Sequence, residues 1–420
     1  MRRLLPLGTS LAVLTATILL AGPAGASAPD LASGDSAKTV KVATRFALKA
    51  AGFGTRVDGG QLPASSGTTG YQVIGCTNKA GITRDNYEAD VTLPGLGTVS
   101  GVKTKTWTRY RPKKKEVSVY SMHNVAKVNL GAGLSLTAVN SLSRVWHDPK
   151  GFHTETTTSI GSIKLAGQTI PIPTPDQPIT IPGVVSIAIG DHNERKDKDG
   201  AYASANAVDI RLLLTDTRVR VSHTAALMGS GITYGRFSGQ SNATQVHALD
   251  ENVKSGPTPL SYMPCQGTKG ETKVKSVAGV DLAGQIVVGA AQNRQMGKQD
   301  KEKATGFEES SIASITLGPL TINAIKARAN VTRYKDGKVV KDADGTTIGE
   351  IVVNGEAQAI PDPGQSLEIP GLLSLEANVI DKSKKGIDVV AVRITLLDGT
   401  GAVIDLGHAR LLIKPSRRIM

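Results

Sequence analysis

The chain has 420 residues, of which only 4% are aromatic while 46 are glycine, and its formal net charge at pH 7 is +13. So few aromatic side chains leave Val, Ile, Leu and Ala to build the core, and this composition favours short strands and tight turns over long helices. Two cysteines exclude a disulfide scaffold but allow one disulfide bond.

The first 26 residues have the pattern of a secretory signal peptide. A positively charged start precedes an apolar run at residues 4–20, and small residues lead to Ala26. We predict cleavage after Ala26, with Ala28 as the alternative site, and a flexible lead-in at residues 27–40. A membrane-spanning helix is the other interpretation, but the apolar run is short for a span.

An internal repeat organises the rest of the chain. Residues 161–189 match residues 349–377 without a gap at a shift of 188, and 11 of the 29 positions are identical, where chance would give about two. The match extends in both directions, with small changes of shift that fit loop insertions. We therefore predict β-repeat 1 at residues 41–228, a linker at 229–239, β-repeat 2 at 240–413 and a basic tail at 414–420.

Within each repeat, apolar residues alternate with polar ones. Residues 134–138 and 390–396 have the period of two that is typical of half-buried antiparallel strands. The proline-rich segment 170–182 predicts an extended edge or loop, and Asp-Gly at 336–337 predicts a hairpin. The sequence thus predicts an all-β fold of two tandem β-sandwich-like repeats, with a single intertwined β-structure as the alternative.

Several short blocks follow one another in the same order in both repeats. They are a Leu-Thr-Ala-like strand, a Gly-x-Ile-x-x-x-Gly strand, an Ile-Pro-Gly strand, and strands that end near an arginine and a histidine: 136–138 and 322–324, 161–167 and 349–355, 181–183 and 369–371, Arg211 and Arg393, His223 and His408. In this order the blocks resemble the choice-of-anchor P family of exported, mostly actinobacterial proteins. The resemblance implies a surface or secreted module with variable anchoring and no established activity. The chain departs from that pattern because we find no C-terminal anchor segment.

The sequence has no recognisable catalytic or metal-binding motif. We find no H-E-x-x-H, no G-x-S-x-G and no phosphate-binding glycine loop, so we predict no enzyme, no cofactor and no metal site. Residues 342–345 with Glu350 match only part of a calcium loop, and we interpret them as a β-turn. His223 and His408 occupy equivalent repeat positions, which suggests a role in the fold rather than in catalysis.

A basic run with interleaved aromatic residues is the most suggestive binding segment. Residues 71–228 have 19 basic and 13 acidic residues, whereas residues 262–413 have 18 of each, so the fold itself does not require the excess. An anionic polymer is the partner that such a run favours. The candidate residues are Lys103, Lys105, Trp107, Arg109, Tyr110, Arg111, Lys113, Lys114 and Lys115. The sequence alone favours a simpler interpretation, a solvated hairpin that keeps a strand edge from aggregating.

The two cysteines fall at equivalent positions of the two repeats. Cys76 and Cys265 are separated by a shift of 189. If a pseudo-twofold axis relates the repeats, equivalent residues near that axis face each other, and we therefore predict a disulfide. Two buried thiols, each packed within its own repeat, are the alternative.

These features predict a non-enzymatic structural or interaction protein of the cell exterior, either secreted or held non-covalently at the cell surface. A module that binds anionic wall polymers or glycans through residues 103–115 is the alternative, and a hydrolase without a recognisable motif has less support. We expect an anionic cell-wall polymer or another surface protein as the partner. We expect no nucleic acid, and no transmembrane anchor in the mature chain.

Overall fold

The computed structural model describes residues 41–58, 68–93, 96–174, 177–214, 216–247, 254–282, 286–397, 399 and 401–416. The predicted signal peptide and lead-in lie outside these described residues, as do residues 417–420 of the predicted tail. The described residues form β-strands and two short 3-10 helices, with no α-helix among them, so the predicted all-β class is confirmed. None of the helical segments in this part of the chain is long and apolar enough to span a membrane.

Thirteen strands form the first half of the described chain. They are β1 (Val42–Asp58), β2 (Gln72–Ala80), β3 (Thr83–Leu93), β4 (Gly97–Arg111), β5 (Glu116–Leu130), β6 (Ser135–Asp148), β7 (Gly151–Ser159), β8 (Ser162–Leu165), β9 (Gln168–Ile170), β10 (Ile179–Ile181), β11 (Val185–Lys196), β12 (Gly200–Leu212) and β13 (Thr217–Ser230). One antiparallel sheet has the order β10-β11-β12-β13-β1-β2. The other has the order β3-β4-β5-β6-β8-β9, with β7 also paired to β6. The two sheets share a core, as in a β-sandwich.

Fifteen strands form the second half. They are β14 (Gly235–His247), β15 (Lys254–Tyr262), β16 (Lys273–Val277), β17 (Val280–Leu282), β18 (Ile286–Val288), β19 (Ala291–Gln299), β20 (Lys303–Leu317), β21 (Leu320–Tyr334), β22 (Val339–Asp342), β23 (Glu350–Val353), β24 (Glu356–Gln358), β25 (Ser366–Ile369), β26 (Leu373–Ser383), β27 (Gly386–Leu396) and β28 (Val403–Pro415). One sheet has the order β15-β14-β28-β27-β26-β25, and the other has the order β16-β19-β20-β21-β23-β24, with β17, β18 and β22 off this path.

The strand order of the second half repeats that of the first, apart from the added β17–β18 hairpin. The two Ile-Pro-Gly segments lie at corresponding places, because Ile181 ends β10 and Ile369 ends β25. A glycine with positive φ follows each of them, Gly183 at 71° and Gly371 at 70°. This common connectivity supports the predicted duplication, and a superposition of the two halves at a shift near 188 is its direct test. Strands β13 and β14 are joined by residues 231–234, within the linker predicted at 229–239.

A disulfide joins the two halves. Cys76 of β2 and Cys265 have an S–S distance of 2.08 Å and a Cα–Cα distance of 5.7 Å, so the predicted pairing is present. Ala47 and Ile232 pack against the bond in a small apolar cluster. The bond therefore lies where the first sandwich meets the start of the second.

The Leu-Thr-Ala-like block and the Gly-x-Ile block are explained by one contact. Ala138 and Ala324 adopt positive φ values of 50° and 52°, a conformation that alanine rarely takes. In β6 this residue shifts the alternation, so that Leu136 and Val139 are both fully buried. A Cβ atom on Gly161 would lie 2.9 Å from the Ala138 Cβ atom, and the same distance separates such an atom on Gly349 from the Ala324 Cβ atom. The Gly-x-Ile block therefore has to begin with glycine, because the alanine of the Leu-Thr-Ala-like block leaves no room for a Cβ atom there.

A belt of polar side chains crosses the core of the first half. Ser141 Oγ lies 3.0 Å from Ser222 Oγ, and Thr104 Oγ1 lies 2.6 Å from His123 Nδ1. The belt separates two apolar clusters along the strands. Burial, with the nearby charge of His223, lowers the pKa of His123 to about 3, so this imidazole is neutral at ordinary pH.

The second half buries a carboxyl group in its own core. Glu308 of β20 is 0% exposed, and Ser241 Oγ donates a 2.9 Å hydrogen bond to its Oε2 atom. Its Oε1 atom has no hydrogen-bond partner in the part of the chain that the structure describes. Burial raises the pKa of Glu308 to about 8, although the bond from Ser241 opposes that shift. The group is therefore protonated in the folded protein at neutral pH.

We expect the variant Gly161→Ala to be destabilised by about 1–3 kcal/mol, because the added methyl group overlaps Ala138. The matched control is Gly75→Ala, since a Cβ atom on Gly75 has no heavy atom within 4 Å. Urea denaturation of both variants measures the two costs. Equal free energies of unfolding in the two variants would contradict the steric explanation.

We expect Glu308→Gln to flatten the pH dependence of stability. The pKa of Glu308 is raised to about 8 in the folded protein. Between the pKa of this group in the unfolded chain and about 8, only the unfolded state loses the proton. The free energy of unfolding therefore falls as pH rises through this range. That fall is at most about 1.4 kcal/mol per pH unit. Urea denaturation at pH 5, 6.5 and 8 measures it. Glu302→Gln is the control, because the Glu302 side chain is 74% exposed. Parallel curves for wild type and Glu308→Gln would show that the carboxyl group is ionised in the fold.

Candidate anion-binding face

The basic run lies in the β4–β5 hairpin. Strand β4 ends at Arg111, Pro112–Lys114 form a single 3-10 turn, and Lys115 closes the turn with a φ of 48°. Lys113, Lys114 and Lys115 are all exposed in this turn. The charges at the tip are therefore held in one compact turn and not in an open loop.

Along β4 the side chains alternate between two environments, as the pleat of a strand requires. Thr104, Thr106 and Thr108 are buried and face the other sheet. The residues between them form the outer side, where Lys103, Lys105 and Arg109 are exposed and Trp107 and Arg111 are half-buried. Tyr110 has the parity of the buried threonines and is 39% exposed, so it does not join the other candidate residues on this side. We call the outer side of β4, with the turn 112–115, the basic face.

Strand β4 is not an edge strand over most of its length. Its residues 97–107 pair with β3 on one side, and its whole length pairs with β5 on the other. Only residues 109–111 and the turn extend past the pairing with β3. The lysines at 103 and 105 therefore lie within the sheet, where they protect no free strand edge. Protection of a strand edge, as the sequence suggested it, therefore applies only to residues 109–115.

The cations of the basic face have few acidic neighbours. Among the residues that the structure describes, Arg111 is the one that forms an ion pair, with Glu116 at 3.5 Å. Asp85 is the register partner of Lys105 across β3 and β4, but the two side chains do not form an ion pair. The remaining cations, Lys103, Lys105, Arg109, Lys113, Lys114 and Lys115, have no carboxylate partner in the described chain. Their charge is available to a ligand.

An aromatic and cationic stack runs across the outer side of β4, β5, β6 and β7. The rings of Trp107 and Tyr120 are stacked with centroids 4.6 Å apart and an interplanar angle of 4°. Arg144 lies between Tyr120 and Trp146, with its Cζ atom 5.3 Å and 4.1 Å from the two ring centroids. Trp146 in turn stacks on His153, with ring centroids 4.9 Å apart. Because the rings stack on one another, their faces are occupied, and the stack is a rigid support for the charges beside it.

Lys105 connects the basic face to this stack. Its Nζ atom lies 5.7 Å from the centroid of the Trp107 ring, within the range of a cation–π contact. The contact restricts a side chain that would otherwise be mobile. A ligand that binds Lys105 therefore pays less of the usual cost of ordering a lysine.

Arg144 holds the centre of the stack through two carboxylates. Its Nη2 atom donates to Glu116 Oε1 and its Nη1 atom donates to Glu155 Oε2, both at 3.1 Å. The Glu116 side chain is only 6% exposed, so its charge depends on Arg144 and Arg111. Burial alone would lower the pKa of Arg144, but Tyr120 and the two glutamates raise it, and the guanidinium stays charged. These ion pairs are internal and leave the free lysines unaffected.

Sequence reasoning found the β4 half of this arrangement and missed the rest. Arg144 and Trp146 are two residues apart and therefore share one face of β6, which was a usable signal. The proximity of His153 could not be found in this way, because it depends on the pairing of Trp146 with His153 across β6 and β7.

The other candidate groups form hydrogen bonds within their own sheets. The Asp342 carboxylate accepts a hydrogen bond from Asn330 Nδ2 at 2.8 Å and closes a turn on the Asp344 backbone N–H. His223 lies 2.8 Å from Asn206 Oδ1, and His408 lies 2.6 Å from Asp388 Oδ1 on the corresponding strand. Burial lowers the pKa of His223 to about 4. Within the described ranges, no three His, Cys, Asp or Glu side chains cluster as metal ligands do.

No family model and no curated protein matches the chain.

We expect Arg144→Met to destabilise the protein by about 3 kcal/mol, because it leaves the buried Glu116 charge with only the longer contact to Arg111. Arg109→Met is the matched control, since Arg109 is exposed and unpaired, and its cost should stay within about 0.5 kcal/mol. Guanidinium denaturation at neutral pH compares the two variants. A small cost for Arg144→Met would mean that Glu116 does not rely on this arginine.

Proposed function

We propose that the protein is a non-enzymatic protein of the cell exterior that binds an anionic wall polymer through its basic face. One observation carries this proposal. Six cations that have no carboxylate partner among the described residues lie along the outer side of β4 and in the β4–β5 turn, and β4 pairs with both β3 and β5. Lysines in the interior of a sheet that protect no edge and pair with no acid are best explained by a ligand that supplies the negative charge.

The spacing of the cations favours a linear polymer. Alternate residues of a strand are about 7 Å apart, so Lys103, Lys105 and Arg109 form a row along β4 that continues into the turn. A phosphate-rich chain lying along the hairpin would contact successive charges of this row. A compact anion would contact only one or two of them. The polymer class that fits is a wall teichoic acid or a similarly charged acidic glycan.

The exterior location rests on other observations. Residues 1–26 have the signal-peptide pattern, and the order of the repeat blocks resembles the choice-of-anchor P family. The non-enzymatic part of the proposal is supported by the lack of a catalytic motif in the sequence. A purely structural role at the surface is the second candidate, and the internal repeat favours it. The binding experiment below separates the two.

The chain has two tryptophans, and both belong to the stack beside the basic face. Their fluorescence therefore reports binding at this face. We expect purified wall teichoic acid to change the emission in a saturable titration. We also expect the affinity to fall by about ten-fold or more between 50 and 200 mM NaCl. Binding releases counterions from the polymer, and this release is less favourable at higher salt concentration.

Charge reversal tests which cations are responsible. Lys113→Glu, Lys114→Glu and Lys115→Glu together should weaken binding by about ten-fold or more and reduce the salt dependence. The control reverses Lys382, Lys384 and Lys385, three exposed lysines at the β26–β27 turn of the second half, and should leave binding unchanged. An equal loss in both triple variants would show attraction by net charge alone. No binding by the wild type would reject the proposal and favour the structural role.

A further inference from the structure

A cleft of about 410 Å³ lies between the two halves, beside the disulfide. The edge strand β2 forms one wall, and β14 with the end of β28 forms another. Among the described residues, its lining includes three cations, Arg84, Arg236 and Lys414, and no acidic residue. The half-buried side chains of Val73 and Ile82 supply apolar surface in the same cleft.

Two of the three cations are direct cross-strand neighbours. Arg236 of β14 and Lys414 of β28 are register partners in an antiparallel pair, so their side chains leave the same face of the sheet side by side. Like charges in this arrangement repel each other. Neither forms an ion pair with a described carboxylate. The pair is unfavourable as it stands and would be relieved by an anion between them.

Arg236 is held in place by two backbone carbonyl groups. Its Nη1 atom donates to the Cys76 carbonyl oxygen at 3.0 Å, and its Nη2 atom donates to the Pro415 carbonyl oxygen at 3.3 Å. Its Nε atom is buried without a partner. Burial lowers the pKa of Arg236, because the charged form loses hydration there. A half-buried guanidinium with neutral partners only is costly, and an oxyanion is its usual complement.

Arg84 approaches the cleft from the first half. Its Nη1 atom donates to the Val73 carbonyl oxygen at 2.9 Å, which fixes the guanidinium beside β2. The β2 wall is open at Gly75, where an added Cβ atom would meet no heavy atom within 4 Å. The cleft therefore has room for a ligand that is larger than the anionic group itself.

We propose that this cleft is a binding site for a small organic oxyanion. Arg236 and Lys414 bind the phosphate or carboxylate group, Arg84 adds a third positive charge, and the body of the ligand packs against the apolar residues of the cleft. The site is distinct from the basic face, whose cations lie on the outer side of β4. It is built from both halves, so neither half contains it alone.

Isothermal titration calorimetry of the full chain at fixed ionic strength tests the proposal with four probes: phenyl phosphate, benzoate, inorganic phosphate and phenol. We expect phenyl phosphate or benzoate to bind about ten-fold more tightly than inorganic phosphate, and phenol not to bind. The aromatic anion that binds more tightly, phenyl phosphate or benzoate, identifies the preferred group as a phosphate or a carboxylate. Failure of both to bind, or binding of phenol as tight as that of the anions, would overturn the proposal.

Variants locate the binding. Lys414→Gln and Arg84→Gln should each weaken binding of the more tightly bound aromatic anion by about ten-fold. Each variant removes a charge from the cleft but no ion pair between described residues. The double variant Lys103→Gln and Lys105→Gln should leave binding unchanged. If the double variant lost affinity for the probe while the cleft variants kept it, the anion would bind at the basic face, and the proposed cleft site would be rejected. The result does not depend on whether teichoic acid binds.

Discussion

The burial of small side chains between two sheets is the constraint on which the rest of the structure depends. With few aromatic residues available, the inner faces are filled by valine, alanine and short hydroxyl side chains such as Thr104 and Ser141. Because a strand alternates strictly, the residues that must face inward also determine which residues face outward. A slip of β4 by one residue would bury Lys103 and Lys105 and expose the threonines. The core of the first half therefore fixes the position of the basic face.

The same constraint explains how far the sequence could be interpreted. Strands β6 and β27 were predicted because their apolar residues alternate over several positions, and the 336–337 hairpin because Asp-Gly favours the required turn. The positive φ values of Ala138 and Ala324 were not predicted, since nothing in alanine favours that conformation. Gly161 and Gly349 leave the space that the two alanine side chains occupy, a relation that only the folded chain reveals.

The candidate sites were predicted to different degrees for a similar reason. The cations of the basic run are contiguous in sequence, so a local pattern was sufficient to find them. The position of Lys103 and Lys105 in an inner strand could not be predicted, because the identity of the neighbouring strands is a property of the sheet. The cleft was not predicted, because its cations come from three strands that are far apart in the sequence. They are Arg84, Arg236 and Lys414. The cysteines were paired correctly because the repeat made their positions equivalent.

The pairing of the first and last long strands of each half has a consequence for how the chain acquires its structure during synthesis. Strand β1 pairs with β13 from Phe46 opposite Ser230, and β14 pairs with β28 from Gly235 opposite Pro415. Neither sandwich can close until its final strand has been synthesised. Until then, β1 and β14 of the nascent chain each keep one edge unpaired. Contacts so distant in sequence form slowly. A chain that matures late in this way keeps unpaired strand edges exposed for longer, so its folding competes with association between chains.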